Sequence, residues 1–190
     1  MIIQGNDPRR EASFTLRNRA GRALWNAVWL LLFRSSPRPF HRWRAAILRA
    51  FGATVGSNAH VYPGAKIWAP WNLVIGQDVI VGDDVKLYSM DKTFIGDRAV
   101  ISQGTHLCCG SHDYNSPNFQ LIAQPISIGA DVWLCAEVFV AMGATIAEGA
   151  VVGARSVVTK SLLEPWIVYA GSPCKAIGHR KSERHLHASD

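Results

Sequence analysis

The chain has 190 residues, of which 48% are hydrophobic and 18% are charged, and its formal net charge at pH 7 is +6. This length suits one domain with a core of its own and is short for two. The longest apolar stretch, from Ala23 to Phe33, is about half of the roughly 20 residues that span a bilayer, so we expect no transmembrane helix. The four cysteines form no CxxC pair, which argues against a zinc site or a disulfide framework.

The first segment, residues 1–52, is basic and rich in Trp and Leu. Residues 1–50 contain ten arginines and two acids, a net charge of +8, whereas the remaining residues carry ten basic and twelve acidic groups, a net charge of −2. Apolar residues at helical spacing predict two helices, over 14–33 and 39–51, separated by a proline-containing break. Two interpretations stay open: an interfacial helix that contacts an anionic membrane, or a cap on the end of the body that follows.

The body of the chain, residues 53–162, is built on a six-residue repeat. Its repeated aliphatic residues are Val55, Val61, Ile67, Ile75, Val81, Leu87, Ile95, Ile101, Leu107, Ile128, Leu134, Val140, Ile146, Val152 and Val158. Six residues suffice for a short strand and a tight corner, and three such sides make a triangular coil with the aliphatic residues stacked inside. Helices would instead repeat apolar residues every three or four positions. The repeat therefore predicts an all-β fold, a parallel β-helix preceded by the helical segment.

The spacing of the repeat changes at three places. The breaks from Ile67 to Ile75 and from Leu87 to Ile95 each add two residues at a corner. The break before Ile128 is much longer and predicts a loop over residues 110–125. Insertions in solenoids collect on one face and often carry function, so we expect a functional site at this loop.

Three stretches of the sequence resemble the hexapeptide-repeat acyltransferases, in particular the galactoside, maltose and nodulation-factor O-acetyltransferases. They are FIGDRAVISQGTHLCCGSH at 94–112, PISIGADVWLCAEVFVAMGATIAEGAVVGARSVVTK at 125–160 and YAGSPCKAI at 169–177. The N-terminal half, with LWNAVWLLLF, PRPFHRWR and VYPGAKIWAPWNL, is similar more narrowly to acetyltransferases of colanic acid and related exopolysaccharide biosynthesis. The resemblance implies a left-handed β-helix, a homotrimer, and transfer of acetyl from acetyl-CoA to a hydroxyl of a sugar or saccharide.

Acetyl transfer to a hydroxyl needs a general base, and histidine suits that task near neutral pH. His112 opens the predicted loop directly after an ordered coil, and its GSH motif matches the family's catalytic histidine. His106, at an outward position of the preceding coil, is a weaker candidate for the base.

The acceptor saccharide is expected near the loop. Tyr114 and Asn115 follow the histidine, and the IWAPWN motif adds Trp68 and Trp71, because sugars stack their apolar faces on aromatic rings. Galactoside-type relatives carry an asparagine near the position of Tyr88-Ser89. This chain lacks it, so its acceptor contacts are expected to differ.

The resemblance places coenzyme A along the last coils and the C-terminal tail, residues 163–190. Small residues there would let the pantetheine arm approach the backbone, a tryptophan would lie beside the arm, and lysines would meet the phosphates. The residues that match these positions are Trp133, Ala136, Gly143, Ala154, Lys160 and Lys175. In a homotrimer each site would form between two subunits. No metal is expected.

Other activities stay open. Transfer of acetyl to an amine, as on an amino sugar, would use the same base. A γ-carbonic-anhydrase-like zinc lyase shares the fold, but His106 and His112 are six residues apart, one more than in that family, and no histidine lies at the expected distance upstream. Intact GSHDY and AGSPCK motifs argue against a scaffold without activity. We expect a cytoplasmic protein, with residues 14–51 as a peripheral contact to the inner membrane face and with no nucleic-acid partner.

Overall fold

The computed structural model describes residues 2–181, and it consists of a helical segment followed by a three-sided parallel β-helix. Helix α1 spans Leu16–Val28 and continues as a π-helical turn over Trp29–Phe33. Helix α2 spans His41–Ala50. Both helices lie in the segment for which the sequence predicts helices. The last nine residues of the predicted coenzyme-binding tail, 182–190, lie outside the described residues.

Three parallel sheets form the sides of the β-helix, here called the first, second and third face. The first face contains β1 (Thr54–Val55), β4 (Leu73–Ile75), β7 (Thr93–Ile95), β12 (Ile126–Ile128) and β15 (Thr145–Ile146). The second face contains β2 (His60–Val61), β5 (Ile80–Val81), β8 (Val100–Ile101), β13 (Trp133–Leu134), β16 (Val151–Val152), β18 (Ile167–Ala170) and the antiparallel β19 (Lys175–His179). The third face contains β3 (Lys66–Ile67), β6 (Lys86–Tyr88), β9 (His106–Cys108), β14 (Phe139–Val140) and β17 (Val157–Val158).

The predicted aliphatic column is the core of the molecule. Each of the fifteen repeated residues is at most 7% exposed, and each pairs in register with its equivalent in the neighbouring coil, as Ile75 does with Ile95. Stacking the coils buries this column continuously, which a single coil could not do alone. The all-β parallel helix predicted from the repeat is confirmed.

The corners explain why small and polar residues accompany the repeat. At most of these corners the third residue after the aliphatic one adopts a left-handed backbone conformation, which Asn58 and Asp78 tolerate better than most residues. The residue directly after the aliphatic one touches the backbone of the next coil. A Cβ added at Gly96 would lie 2.6 Å from the backbone nitrogen of Ala130. Glycine therefore permits the coils to stack at this corner.

The two helices cover the open end of the first coil. Trp25 is fully buried, and its Nε1 donates a hydrogen bond to the Ile67 carbonyl at 2.7 Å. The buried Arg44 donates from Nε to the carbonyl of Val61 at 2.6 Å and from its other nitrogens to carbonyl oxygens before α2. Capping is therefore one role of this segment. Between residues 2 and 181, none of the helices combines the length and the apolar composition that a membrane crossing requires.

The predicted loop at 110–125 is a β-hairpin. Strands β10 (Gly110–His112) and β11 (Leu121–Ala123) pair antiparallel, with His112 opposite Leu121. The hairpin leaves the β-helix at the edge between the third and first faces, which we call the hairpin edge. The edge between the second and third faces is called the far edge.

Candidate active site

His112 lies at the end of β10, where the hairpin departs from regular pairing. Its Nδ1 is 2.9 Å from the carbonyl oxygen of Phe119. A carbonyl oxygen can only accept, so this contact requires the hydrogen on Nδ1 and leaves Nε2 of the neutral ring with a free lone pair. The arrangement suits a group that takes a proton at Nε2.

Phe119 holds the histidine ring in two ways. Besides its carbonyl contact, its ring stacks on the imidazole at a centroid distance of 4.7 Å and an interplanar angle of 17°. Its backbone has φ +52°, an uncommon conformation for a bulky residue. Such strain costs about 1–3 kcal/mol and persists where the surrounding structure imposes it. The sequence holds no signal for this role, because it depends on the closure of the hairpin.

The first residues of the chain support the same hairpin. The backbone N–H of Gly5 donates to Oε1 of Gln120 at 2.7 Å, and Nδ2 of Asn118 donates to the carbonyl of Asn6 at 3.0 Å. The same N-terminal stretch ends at Phe14, whose ring lies 5.0 Å from that of Trp68 on the third face. It therefore connects the hairpin to that face.

Tyr114 and Asn115 occupy the open part of the hairpin loop. The Tyr114 side chain is 81% exposed, and Asn115 is exposed, with its backbone N–H bonded to the Asp113 carboxylate at 3.0 Å. Trp71 lies apart from Trp68: it packs against α1 near Gly21, and its carbonyl accepts from Lys92 Nζ at 3.0 Å. The predicted acceptor residues are thus not gathered in one pocket of the single chain.

A pocket of about 380 Å³ lies on the third face, beneath α1. It is lined by Arg22, Asn26, Lys66, Ile67, Trp68, Lys86, Leu87, Tyr88, His106 and Cys108. Cys108 lies two residues before the start of β10, so the pocket adjoins the base of the hairpin. Sequence reasoning identified Trp68 and His106 in this group but missed Arg22, Lys66 and Lys86. Each lysine directly precedes an inward aliphatic residue of the repeat, and this position indicates an outward side chain on the same face.

His106 lies among aromatic rings and near a lysine, and this environment changes its pKa. Its ring packs edge-on against Phe139, 5.4 Å away, and against Tyr88, 6.3 Å away. Burial, and next the charge of Lys86, lower the pKa of His106 below its usual value. Both effects favour the neutral form of the ring.

The predicted coenzyme residues lie on two edges of the β-helix. Ala136 and Ala154 occupy the far edge in successive coils, where the Arg155 N–H donates to the Ala136 carbonyl at 2.9 Å. Gly143 lies at the hairpin edge, and its N–H donates to Pro125 at the hairpin's end. Lys160 follows β17 on that same edge. One chain alone therefore does not bring these residues together.

The remaining two predicted coenzyme residues are exposed. Trp133 extends from the second face, and its Nε1 donates to Ser102 Oγ at 3.0 Å. Lys175 begins β19. Arg180, a basic residue of the same C-terminal tail, donates hydrogen bonds from Nη1 to the carbonyl oxygens of Asp131 and Gly149, so its side chain is held against the body. Within residues 2–181, no group of three or more His, Cys, Asp or Glu side chains is placed to hold a metal ion.

Comparison with known proteins places the chain in a family. No family model matches it. It is 48% identical over 157 residues to an Escherichia coli K12 protein provisionally named colanic acid biosynthesis acetyltransferase WcaF, covering 83% of this chain and 86% of that protein. It is 30% identical over 151 residues to the galactoside O-acetyltransferase of the same organism, covering 77% of this chain and 74% of that protein.

Solved structures show the same architecture. A galactoside acetyltransferase in complex with coenzyme A superimposes with a TM-score of 0.81 at 26% identity, covering 90% of this chain and 86% of that one. A maltose O-acetyltransferase from Clostridium difficile 630 superimposes with a TM-score of 0.80 at 24% identity, covering 88% and 90%.

The β-helix of stacked hexapeptides and the similarity to these relatives together identify the chain as an acyltransferase that uses acetyl-CoA as its donor. The chain belongs to the hexapeptide-repeat acetyltransferase family, and its parallel β-helix is left-handed, as the sequence resemblance implies.

Proposed function

We propose that the protein transfers acetyl from acetyl-CoA to a hydroxyl of a saccharide, with His112 as the general base. The observation that carries the proposal is the contact of His112 Nδ1 with the Phe119 carbonyl, because it leaves Nε2 able to accept a proton. The acetyltransferase relatives support the reaction, and the galactoside relative supports a sugar hydroxyl as the acceptor.

The reaction follows from the chemistry of the thioester. As the acceptor hydroxyl oxygen bonds to the acetyl carbonyl carbon, Nε2 of His112 takes the hydroxyl proton. Backbone N–H groups of the β-helix are the donors available to stabilise the negative oxygen of the tetrahedral intermediate. When the carbon–sulfur bond breaks, the proton passes from His112 to the coenzyme A thiolate. The base is then neutral again.

The acetyl-CoA site is proposed to lie between subunits of a homotrimer. Trp133, Ala136, Ala154 and Lys175 would line the pantetheine arm and its phosphates on one subunit. Gly143 and Lys160, together with His112, would belong to the neighbouring subunit. The separation of these residues onto the far edge and the hairpin edge supports this arrangement, since only a second chain can bring the two edges together. Tyr114, Asn115 and Trp71 would contribute acceptor contacts around that interface.

The cellular role is proposed to be exopolysaccharide biosynthesis at the inner membrane face of the cytoplasm. The relative provisionally named for colanic acid biosynthesis supports the role. The outer surface of α1 and of the π-helical turn that continues it supports the location: Leu16, Leu24 and Leu31 are exposed at helical spacing, although the opposite side caps the core. No Asp or Glu occurs between Glu11 and Asp78, so an anionic bilayer matches this surface in charge as well as in polarity.

The test is thiol release from acetyl-CoA by the purified chain with a panel of sugar acceptors. We expect acceptor-dependent release, and we expect His112→Ala to lower turnover by at least about a hundredfold, since that is the usual contribution of a general base. The affinity for coenzyme A should stay similar, because the imidazole does not hold the donor. Undiminished turnover in His112→Ala would place the base elsewhere. An absence of release with every acceptor would reject the enzymatic proposal.

A further inference from the structure

The outward side chains of the third face form a ladder of basic residues. Lys66 on β3 is paired directly with Lys86 on β6, and Lys86 with His106 on β9. Adjacent strands of a sheet lie about 4.8 Å apart, so the two lysine side chains leave the third face side by side. Like charges directly opposite each other in neighbouring strands are destabilising. The Lys66–Lys86 pair therefore has a repulsive energy that a bound anion would offset.

The pocket above this ladder contains a further cation and no acid. Arg22 of α1 reaches over from the opposite side, where its guanidinium lies 4.3 Å from the ring of Trp68 and its Nε donates to Asn18. Partial burial lowers the pKa of Arg22. None of the ion pairs found among residues 2–181 includes a residue that lines the pocket.

The other wall of the pocket is aromatic. Trp68 and Tyr88 lie on successive coils, with their ring centroids 5.9 Å apart and their planes at 75°. Flat apolar surfaces of this kind suit stacking against the apolar face of a sugar ring, where its C–H groups point. Beside them, Cys108 ends the strand that leads into the hairpin of His112. The pocket therefore offers an aromatic platform and three basic side chains beside the strand that leads to the hairpin of the proposed base.

We propose that this pocket binds a phosphate-bearing saccharide, with Lys66, Lys86 and Arg22 on the phosphate and Trp68 and Tyr88 on the sugar. The inference rests on the proposed function for the role of the bound saccharide as acetyl acceptor. Lysine ammonium groups bind phosphate as point charges, and the ladder spans two coils, which suits an anion with several oxygens. His106 lies in the same row of side chains, and its ring nitrogens can take part in hydrogen bonds to the ligand.

The decisive experiment measures binding rather than acetyl transfer, so that it stands apart from the test of the enzyme. The full chain would be titrated by calorimetry with glucose, glucose 1-phosphate and glucuronate. We expect glucose 1-phosphate to bind at least about tenfold more tightly than glucose, and the Lys66→Met/Lys86→Met variant to lose that difference. Lys181→Met removes an exposed lysine outside the pocket, and it should keep the preference for the phosphate.

Each other result overturns a defined part of the proposal. Equal binding of glucose and glucose 1-phosphate, or an unchanged preference in Lys66→Met/Lys86→Met, rejects the anion site. Binding of glucuronate as tightly as glucose 1-phosphate rejects the assignment to phosphate. Circular dichroism of each variant would verify that it is folded. A chain that binds glucose 1-phosphate in this pocket but releases no thiol would keep the anion site and reject the acetyl transfer.

Discussion

At the scale of single residues, the site depends on how one histidine is held. His112 could be chosen from the sequence because it follows an ordered coil and carries the GSH motif. The group that orients it could not, since Phe119 is seven residues further on and meets the histidine only through the closed hairpin. A sequence shows which atoms are available for such a contact, whereas the hydrogen bond requires the fold to bring them within 3 Å.

Phe119 should act on catalysis by positioning His112. We expect Phe119→Gly to lower kcat by about tenfold or more, because it removes the stacked ring and frees the backbone that directs the carbonyl. Phe119→Tyr keeps both features and should retain activity. Steady-state kinetics would show the effect in kcat with the KM for acetyl-CoA unchanged. Equal losses in the Gly and Tyr variants would rule out a role for the stacked ring.

At the scale of elements, the stacking of coils determines which positions must be aliphatic and which must be glycine. The inward aliphatic residues were readable from their period, since every third strand returns to the same face. The need for glycine at particular corners is a consequence of close approach: the backbones of two coils nearly touch at Gly96 and Ala130. The hairpin at 110–125 was predicted only as a loop, because the antiparallel pairing of its short strands leaves no period in the sequence.

Gly96→Ala should destabilise the β-helix. The added Cβ would lie 2.6 Å from the Ala130 nitrogen, and neither backbone can move without shifting a coil. Overpacking of this kind costs about 1–3 kcal/mol in the free energy of unfolding. Gly178→Ala is the matched control, because its Cβ would meet nothing within 4 Å. Urea unfolding of both variants would compare them, and equal stabilities would contradict the close stacking at Gly96.

At the scale of the whole molecule, the basic N-terminal segment has a side that packs on the β-helix and a side that is exposed. Its inner side covers the first coil through Trp25 and Arg44, and its outer side exposes Leu24, which is 61% exposed, and Leu31, which is 68% exposed. The cap and the proposed membrane contact, which the sequence leaves as alternatives, would use opposite sides of this helical segment and are compatible.

Membrane binding should depend on the exposed leucines of α1 and of the π-helical turn that follows it. We expect the full chain to sediment with vesicles of phosphatidylglycerol and not with vesicles of phosphatidylcholine, and to be released as salt screens the arginines. Leu24→Glu/Leu31→Glu should abolish sedimentation. Leu163→Glu, at an equally exposed leucine of the body, should leave it intact. Sedimentation of Leu24→Glu/Leu31→Glu at the wild-type level would show that this surface does not contact lipid.

The sequence by itself determined the β-helix, its core and the choice of His112, because a six-residue period and a local motif are written in neighbouring positions. Only the tertiary structure decided three further features: the carbonyl that contacts His112, the lysine ladder beside the aromatic wall, and the placement of the predicted coenzyme residues on two edges. Each of these joins residues that are not neighbours in the chain. Their distances are set by how the coils, the hairpin and the N-terminal helices pack, and that packing is a property of the folded chain as a whole.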